Sequence, residues 1–182
     1  MVTFKAERKA TPSGRPYASA MIGTRTTFAQ AYGVWETRLR YPAGRGVWPG
    51  FFLLPKGQMA PFPEIDILEA YPGPTGANGG LGKRVIVTTV HLSAAVAHSI
   101  AFDAGIDLTT DFHTYRMEWT PGRLVFSLDG AVYWTLTEDV PSVPMYPILD
   151  LAMGASGFRV DETTPDPAVM DVEYVRVFAP PE

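Results

Sequence analysis

Three carboxylic acids, Glu64, Asp66 and Glu69, stand within six positions of the segment FPEIDILEAY, residues 62–71, interleaved with Ile65, Ile67 and Leu68. Acids crowded among apolar residues raise one another's pKa, so such a cluster can hold a proton near neutral pH and release it on demand. Two of them about 5 Å apart would suit double-displacement cleavage of a glycosidic bond, one attacking the anomeric carbon and the other protonating the leaving oxygen. A gap of about 6.5–9.5 Å would suit inversion. The same side chains on an edge strand would instead form a solvated acidic stripe, or ligands for a hard cation such as calcium. The motif by itself leaves these readings open.

The element that carries the acids has a geometric problem to solve. Along a regular strand Glu64, Asp66 and Leu68 share one face, and Glu69 points the other way with Ile65 and Ile67. A bulge near Ile67-Leu68 is therefore predicted, because one extra residue resets the alternation and returns Glu69 to the side of Glu64 and Asp66. Five residues span about 16 Å extended and roughly 13 Å with a bulge. Two side chains leaning inward by ~4 Å each then bring the carboxyls to about 5 Å. Asp66, between them, is placed to hydrogen-bond to the attacking carboxylate and to raise the pKa of the acid.

The remainder of the chain reads as the scaffold for that strand. Its 182 residues are 46% hydrophobic, enough for one core, and residues 1–182 are read as a single domain. Seventeen Gly and seventeen Pro are spread along it, as expected of short strands joined by tight turns. In GVWETRLRYP, Trp35, Thr37, Leu39 and Tyr41 alternate with Val34, Glu36, Arg38 and Arg40, giving one buried and one polar face. Comparable runs occur at VTFKA, VWPGFFLLP, RVIVTTVHL, FHTYRMEW, LVFSLDG, AVYWTLT, YPILDLAMG and VEYVRVF. Asp129-Gly130 predicts a hairpin between two of them. Roughly nine or ten strands without helical spacers predict an all-β chain, a jelly-roll β-sandwich of two antiparallel sheets.

Charge and composition exclude several partners. Fifteen Lys and Arg against nineteen Asp and Glu give a net charge of −4, and the scattered cations make no basic face for nucleic acid. No segment is apolar enough to span a bilayer, and the first residues carry no export signal. The absence of cysteine removes disulfides and thiolate metal sites, and His91, His98 and His113 lack paired ligand spacing, so no zinc site is expected.

Several segments, in order, resemble the family-16 glycoside hydrolases, in particular their laminarinase-like branch of endo-β-1,3-glucanases. YGVWETRLRYPAGRGVWPGFFLLP is similar to the strand pair before that family's active site, EIDILE to its E-x-D-x-x-E motif, FHTYRMEWTPGRLVFSLDG to the block that follows, and VEYVRVF to the closing strand. The resemblance implies a concanavalin A-like fold, with Glu64 as nucleophile, Asp66 as its partner and Glu69 as general acid and base. It also implies sugar stacking on Trp48 and Trp119, contacts to sugar hydroxyls from Glu36 and Arg38, and His91 as a cleft-wall residue. His113, Trp35 and Trp134 are expected to be structural.

A retaining endo-acting hydrolase of β-1,3 or mixed-linkage β-glucan is thus the leading expectation, extracellular by resemblance and without a cofactor. The alternatives are a galactan-type polysaccharide hydrolase, a transglycosylase, and a non-catalytic carbohydrate-binding module. Some features depart from the family. The longer N-terminal part of its members has no counterpart here, so either an N-terminally reduced domain with a more open groove or an excised fragment is expected, with a sheet edge open to self-association. Phe52 stands where the branch commonly has Trp, HLSAA lacks the usual aromatic and glycine after the histidine, and Glu173 replaces an aspartate of a structural calcium site.

Overall fold

The structure, a computed structural model, describes residues 1–57, 62–76, 79–154 and 157–180. Thirteen strands and no helix are found among the described residues: β1 (Val2–Arg8), β2 (Tyr17–Ala18), β3 (Met21–Gly23), β4 (Gly33–Arg40), β5 (Val47–Pro55), β6 (Glu64–Ala70), β7 (Val85–His91), β8 (Ala97–Asp103), β9 (His113–Thr120), β10 (Arg123–Leu128), β11 (Ala131–Leu136), β12 (Met145–Met153) and β13 (Ala168–Phe178). They form a seven-stranded sheet, β11-β10-β9-β4-β13-β1-β2, and a six-stranded sheet, β3-β12-β5-β6-β7-β8. All pairings between these strands are antiparallel. This is the predicted sandwich.

Its core lies between the sheets and is built by alternation. Trp35, Leu39, Tyr115, Met117 and Phe126 come inward from one sheet, and Phe51, Leu53, Ile65, Leu149 and Leu151 from the other. Each such side chain contributes about 1.5–3 kcal/mol by leaving water, so a one-residue slip that exposed a whole row would not be tolerated. Register is therefore fixed on both sheets, and with it the identity of every residue on the two outer faces.

The hairpin at Asp129-Gly130 joins β10 to β11, with φ of 49° and 84° at the two turn residues, the left-handed pair that a two-residue reversal needs. Three strands were not anticipated. β2 and β3 are too short to show a period, and β8 places Ala97, Ser99, Ala101 and Asp103 on its exposed side. Small and acidic residues are weak strand formers; the pairing with β7 and the inward Ile100 and Phe102 hold that strand in place.

Candidate active site

β6 carries the predicted bulge. Toward β5, Leu68 pairs with Phe51 and Asp66 with Phe52, which leaves Ile67 unpaired. Toward β7, Ile67 and Leu68 together oppose Thr88, between the pairs Asp66–Thr89 and Glu69–Val87. Ile65, Ile67, Leu68 and Ala70 all enter the core, so two consecutive residues face inward and Glu69 emerges on the face of Glu64 and Asp66. The Thr88 hydroxyl donates to the carbonyl of Ile67 at 3.2 Å, using a backbone acceptor that the irregular ladder leaves spare.

Register across the six-stranded sheet sets what surrounds the acids. One row runs Asp150, Gly50, Glu69, Val87 and a second runs Ile148, Phe52, Asp66, Thr89, while His91 lies beside Glu64. Glu69 is held by two donors on the same oxygen: the Trp48 indole N–H at 2.9 Å and the Tyr71 hydroxyl at 3.1 Å, both to Oε1. Oε2 is left to carry or accept a proton. Trp48 packs near Tyr71 with ring centroids 5.8 Å apart, and Tyr71 stacks on Phe158 at 4.4 Å, an aromatic wall beside Glu69. His91 Nε2 lies 3.2 Å from Asp66 Oδ2.

The carboxyls repel one another in a poorly solvated place. Burial, reinforced mainly by Asp66, pushes Glu64 up to about 7. Burial also raises Glu69, reinforced by Asp66 and opposed by the Trp48 and Tyr71 donors. Asp66 is raised by burial against the pull of His91, while the hydrogen bond to Asp66 raises His91 in turn. The His91–Asp66 hydrogen bond thus favours the charged form of each partner, and for Asp66 burial outweighs it.

A fourth acid, Asp150, belongs to this group and escaped the reading of the sequence. Burial, then Glu69 and Asp66, push it up to about 7. It lies across Gly50 from Glu69, and a Cβ on Gly50 would come within 2.6 Å of Asp150 Oδ1, so the glycine makes room for the carboxyl. The only signal was Asp150 itself, an acid on the outward phase of the apolar strand YPILDLAMG. Tyr71 and Phe158 were missed too, since a loop aromatic has no period to betray its direction.

Three of the expected substrate contacts lie elsewhere. Trp119 is fully buried in the core, with its N–H donated to the Pro141 carbonyl at 2.9 Å and its ring against Tyr32 and Trp35, so no sugar reaches it. Glu36 and Arg38 face outward from β4 on the seven-stranded sheet, the opposite side of the sandwich from the acids. Arg116 Nη1 lies 3.0 Å from Glu36, and Arg38 Nη1 lies 3.3 Å from Glu173. Trp48 and His91 do reach the acids.

Trp35 is buried, Trp134 stacks on Phe126, and His113 is tied to Asp129 at 2.7 Å, all as structural residues. Among the described residues no group of three or more acids and histidines is placed to hold a metal ion, and Glu173 is engaged by Arg38.

A two-sheet β-sandwich whose bulged strand gathers E-x-D-x-x-E acids on one outer face defines a class of glycan-processing domains, and the comparisons agree on which. The model of Glycosyl hydrolases family 16 matches residues 2–176; the chain belongs to that family. It is 33% identical over 94% of its length to an endo-1,3-1,4-beta-glycanase of Rhizobium meliloti, and 32% identical over 91% of its length to a beta-glucanase of Rhodothermus marinus. It spans 35% and 63% of those two relatives. The endo-beta-1,3-glucanase of Pyrococcus furiosus superposes with a TM-score of 0.83 at 30% identity, covering 96% of this chain and 73% of that one.

Proposed function

We propose that residues 1–182 form the catalytic domain of a retaining, endo-acting hydrolase of β-1,3 or mixed-linkage β-glucan. The observation that carries the proposal is the bulge at Ile67-Leu68, which puts Glu64 and Glu69 on one face with Asp66 between them. In the first step a Glu64 oxygen attacks the anomeric carbon, the C1–O bond breaks, and Glu69 Oε2 gives its proton to the leaving oxygen. In the second step Glu69 takes a proton from water, whose oxygen attacks C1 and releases Glu64.

The residue roles follow from their surroundings. Trp48 and Tyr71 occupy Glu69 Oε1, so that the proton sits on Oε2 and points one way. Asp66, paired with His91, lies next to Glu64, and the positive charge of a protonated His91 opposes the rise that burial imposes on Glu64, favouring the ionised carboxylate that attacks. The Trp48 indole, beside Glu69, offers an apolar face to a sugar ring. A polymeric substrate cannot enter a cell intact, which fits extracellular action. Met21 and Ile22 on the edge strand β3 are 61% and 54% exposed, which supports pairing between two copies of the chain; a sedimentation coefficient that stays at the monomer value at every concentration would refute it.

Small-nucleophile rescue tests the assignment of the two glutamates. In Glu64→Ala, azide should restore cleavage of an activated β-glucoside with inversion at C1, because it replaces the missing carboxylate directly. In Glu69→Ala it should restore turnover with retention, by attacking the glycosyl-Glu64 intermediate. Rescue with the stereochemistry exchanged would reverse the two roles, and undiminished glucan hydrolysis in either variant would reject the proposal.

A further inference from the structure

A cavity of about 490 Å3 opens past the end of β12, on the β3 side of the six-stranded sheet, within the ~300–1,000 Å3 typical of ligand sites. Arg15, Tyr17, Ser19, Met153, Arg159 and Val160 line it. Met153 is three residues beyond Asp150 along β12, or ~10 Å, on the strand's core-facing phase. Its neighbour Ala152 pairs with Trp48, the residue whose indole holds Glu69. Phe158, which stacks on Tyr71 beside Glu69, immediately precedes Arg159 of the lining, so the cavity adjoins the aromatic end of the acid cluster.

Its walls combine two chemistries. The Tyr17 ring is fixed from behind: Arg8 donates to its hydroxyl at 3.0 Å and lies over the ring at 5.5 Å. With Met153 and Val160 it supplies apolar surface of the kind that packs on a sugar. Arg15 and Arg159 supply charge, and among the described residues neither guanidinium has a carboxylate partner. Asp161, two positions from Arg159, is engaged by Arg45 at 2.8 Å. An uncompensated pair of guanidiniums beside a ring suits a sugar that bears anionic oxygens. The need for it is also visible, since four carboxyls crowd the neighbouring face and the whole chain carries −4, so an acidic polymer meets repulsion that local cations must offset.

We propose that this cavity is a subsite for an acidic substituent, a carboxylate or a sulfate ester, on a sugar of the bound polysaccharide outside the position that is cleaved. The inference rests on the reading of the acid-bearing face as a glycan cleft. It extends that reading from neutral β-glucan to acid-decorated β-glucans.

Binding, not turnover, tests it. Affinity electrophoresis of Glu64→Gln protein through gels holding laminarin, carboxymethylated β-glucan or sulfated β-glucan gives three retardations at low salt. At least one acidic polymer should retard the protein more than laminarin does, and which one identifies the anion. Arg15→Ala with Arg159→Ala in the same background should lower the ratio of acidic to neutral binding about tenfold, the worth of one or two charge-assisted contacts. Arg25→Ala with Arg123→Ala, which removes the same charge elsewhere, should keep the ratio. An equal fall in both double variants, or an unchanged ratio in the first, overturns the subsite and leaves the cleft standing. Failure of all three polymers to retard the protein overturns both readings.

Discussion

The two outer faces of the sandwich are written in the same alternating pattern and put charge to opposite uses. On the seven-stranded sheet the outward residues are paired: Arg116 with Glu36 and Glu118, Arg40 with Asp171, Arg38 with Glu173. Hydrogen bonds from Arg40 and Thr3 hold the Asp171 carboxyl below its ordinary value. On the six-stranded sheet four acids gather with one histidine and, among the described residues, no lysine or arginine paired to them, and every one of the acids is raised. The comparison teaches that acids outnumbering their one cationic partner mark the reactive face, and charge neutralised pair by pair at contact distance marks the scaffold.

The largest effects should separate the faces outright. Glu64→Gln and Glu69→Gln should each lower kcat/KM on laminarin at least about a thousandfold, because one removes the nucleophile and the other the proton donor. Their melting temperatures should not fall, since each removes a repelling buried charge. Glu36→Gln, at a more deeply buried glutamate on the other face, should leave kcat/KM unchanged within about twofold. A comparable loss in Glu36→Gln, measured side by side, would erase the distinction between the faces.

A pair of tryptophans repeats the contrast inside the molecule. Trp119→Ala should destabilise by about 3–5 kcal/mol, as a large aromatic cut from a packed core does, visible as a lower urea midpoint. Trp48→Phe keeps the ring and deletes the N–H that holds Glu69 Oε1, so it should spare stability and cost about tenfold in kcat, near 1.4 kcal/mol for one hydrogen bond. If Trp48→Phe proved as destabilising as Trp119→Ala with kcat untouched, Trp48 would belong to the scaffold.

Proton affinity gives a subtler test. Glu64 and Asp150 have folded pKa values of about 7, raised from 4.5 and 3.8. The folded chain therefore binds more protons than the unfolded one between about pH 4 and 7, and stability from these groups is present at the acid end and lost as pH rises through 7. His91, also raised, adds in the same direction. The carboxyls held low, such as Asp103 and Asp161, act oppositely and only below their ordinary range. Asp150→Asn should flatten the fall in melting temperature between pH 5 and pH 7. It should also move the alkaline limb of kcat/KM to lower pH, because Glu69 loses a repelling neighbour and gives up its proton sooner. An unmoved limb would detach Asp150 from the acid pair.

Much of this was legible in the chain because it rests on period two. Alternation fixed which residues of β4, β9 and β10 face inward, and the mismatch between that period and the spacing of Glu64 and Glu69 called for the bulge that the pairing contains. Alternation does not say which of two sheets a strand joins. Glu36 and Arg38 were rightly placed on a polar face and wrongly placed in the cleft, because β4 pairs with β9 and β13, a fact of long-range pairing. Trp119 failed for a related reason: its inward phase was as visible as that of Tyr115 and Met117, and similarity of context outweighed it. Asp150 and Phe158 arrive at the acids by topology alone, many residues from the motif they serve.

The smallest expected effect is the one that most sharpens the contrast between faces. Arg38 is partly exposed, paired with a partly exposed Glu173 and lying over the Phe112 ring at 5.4 Å. An exposed pair of this kind contributes ~0.2–1 kcal/mol, and a cation over an aromatic face at such a site about as much. Arg38→Ala should therefore lower the urea midpoint slightly, and raising the salt concentration should shrink the difference from wild type, since the lost attraction is open to screening. kcat/KM on laminarin should not move, because the side chain is separated from Glu64 by both sheets and the core between them. Should Arg38→Ala raise KM severalfold with stability intact, glucan would have to contact the seven-stranded sheet as well, and the polymer would wrap an edge of the sandwich instead of lying along one face.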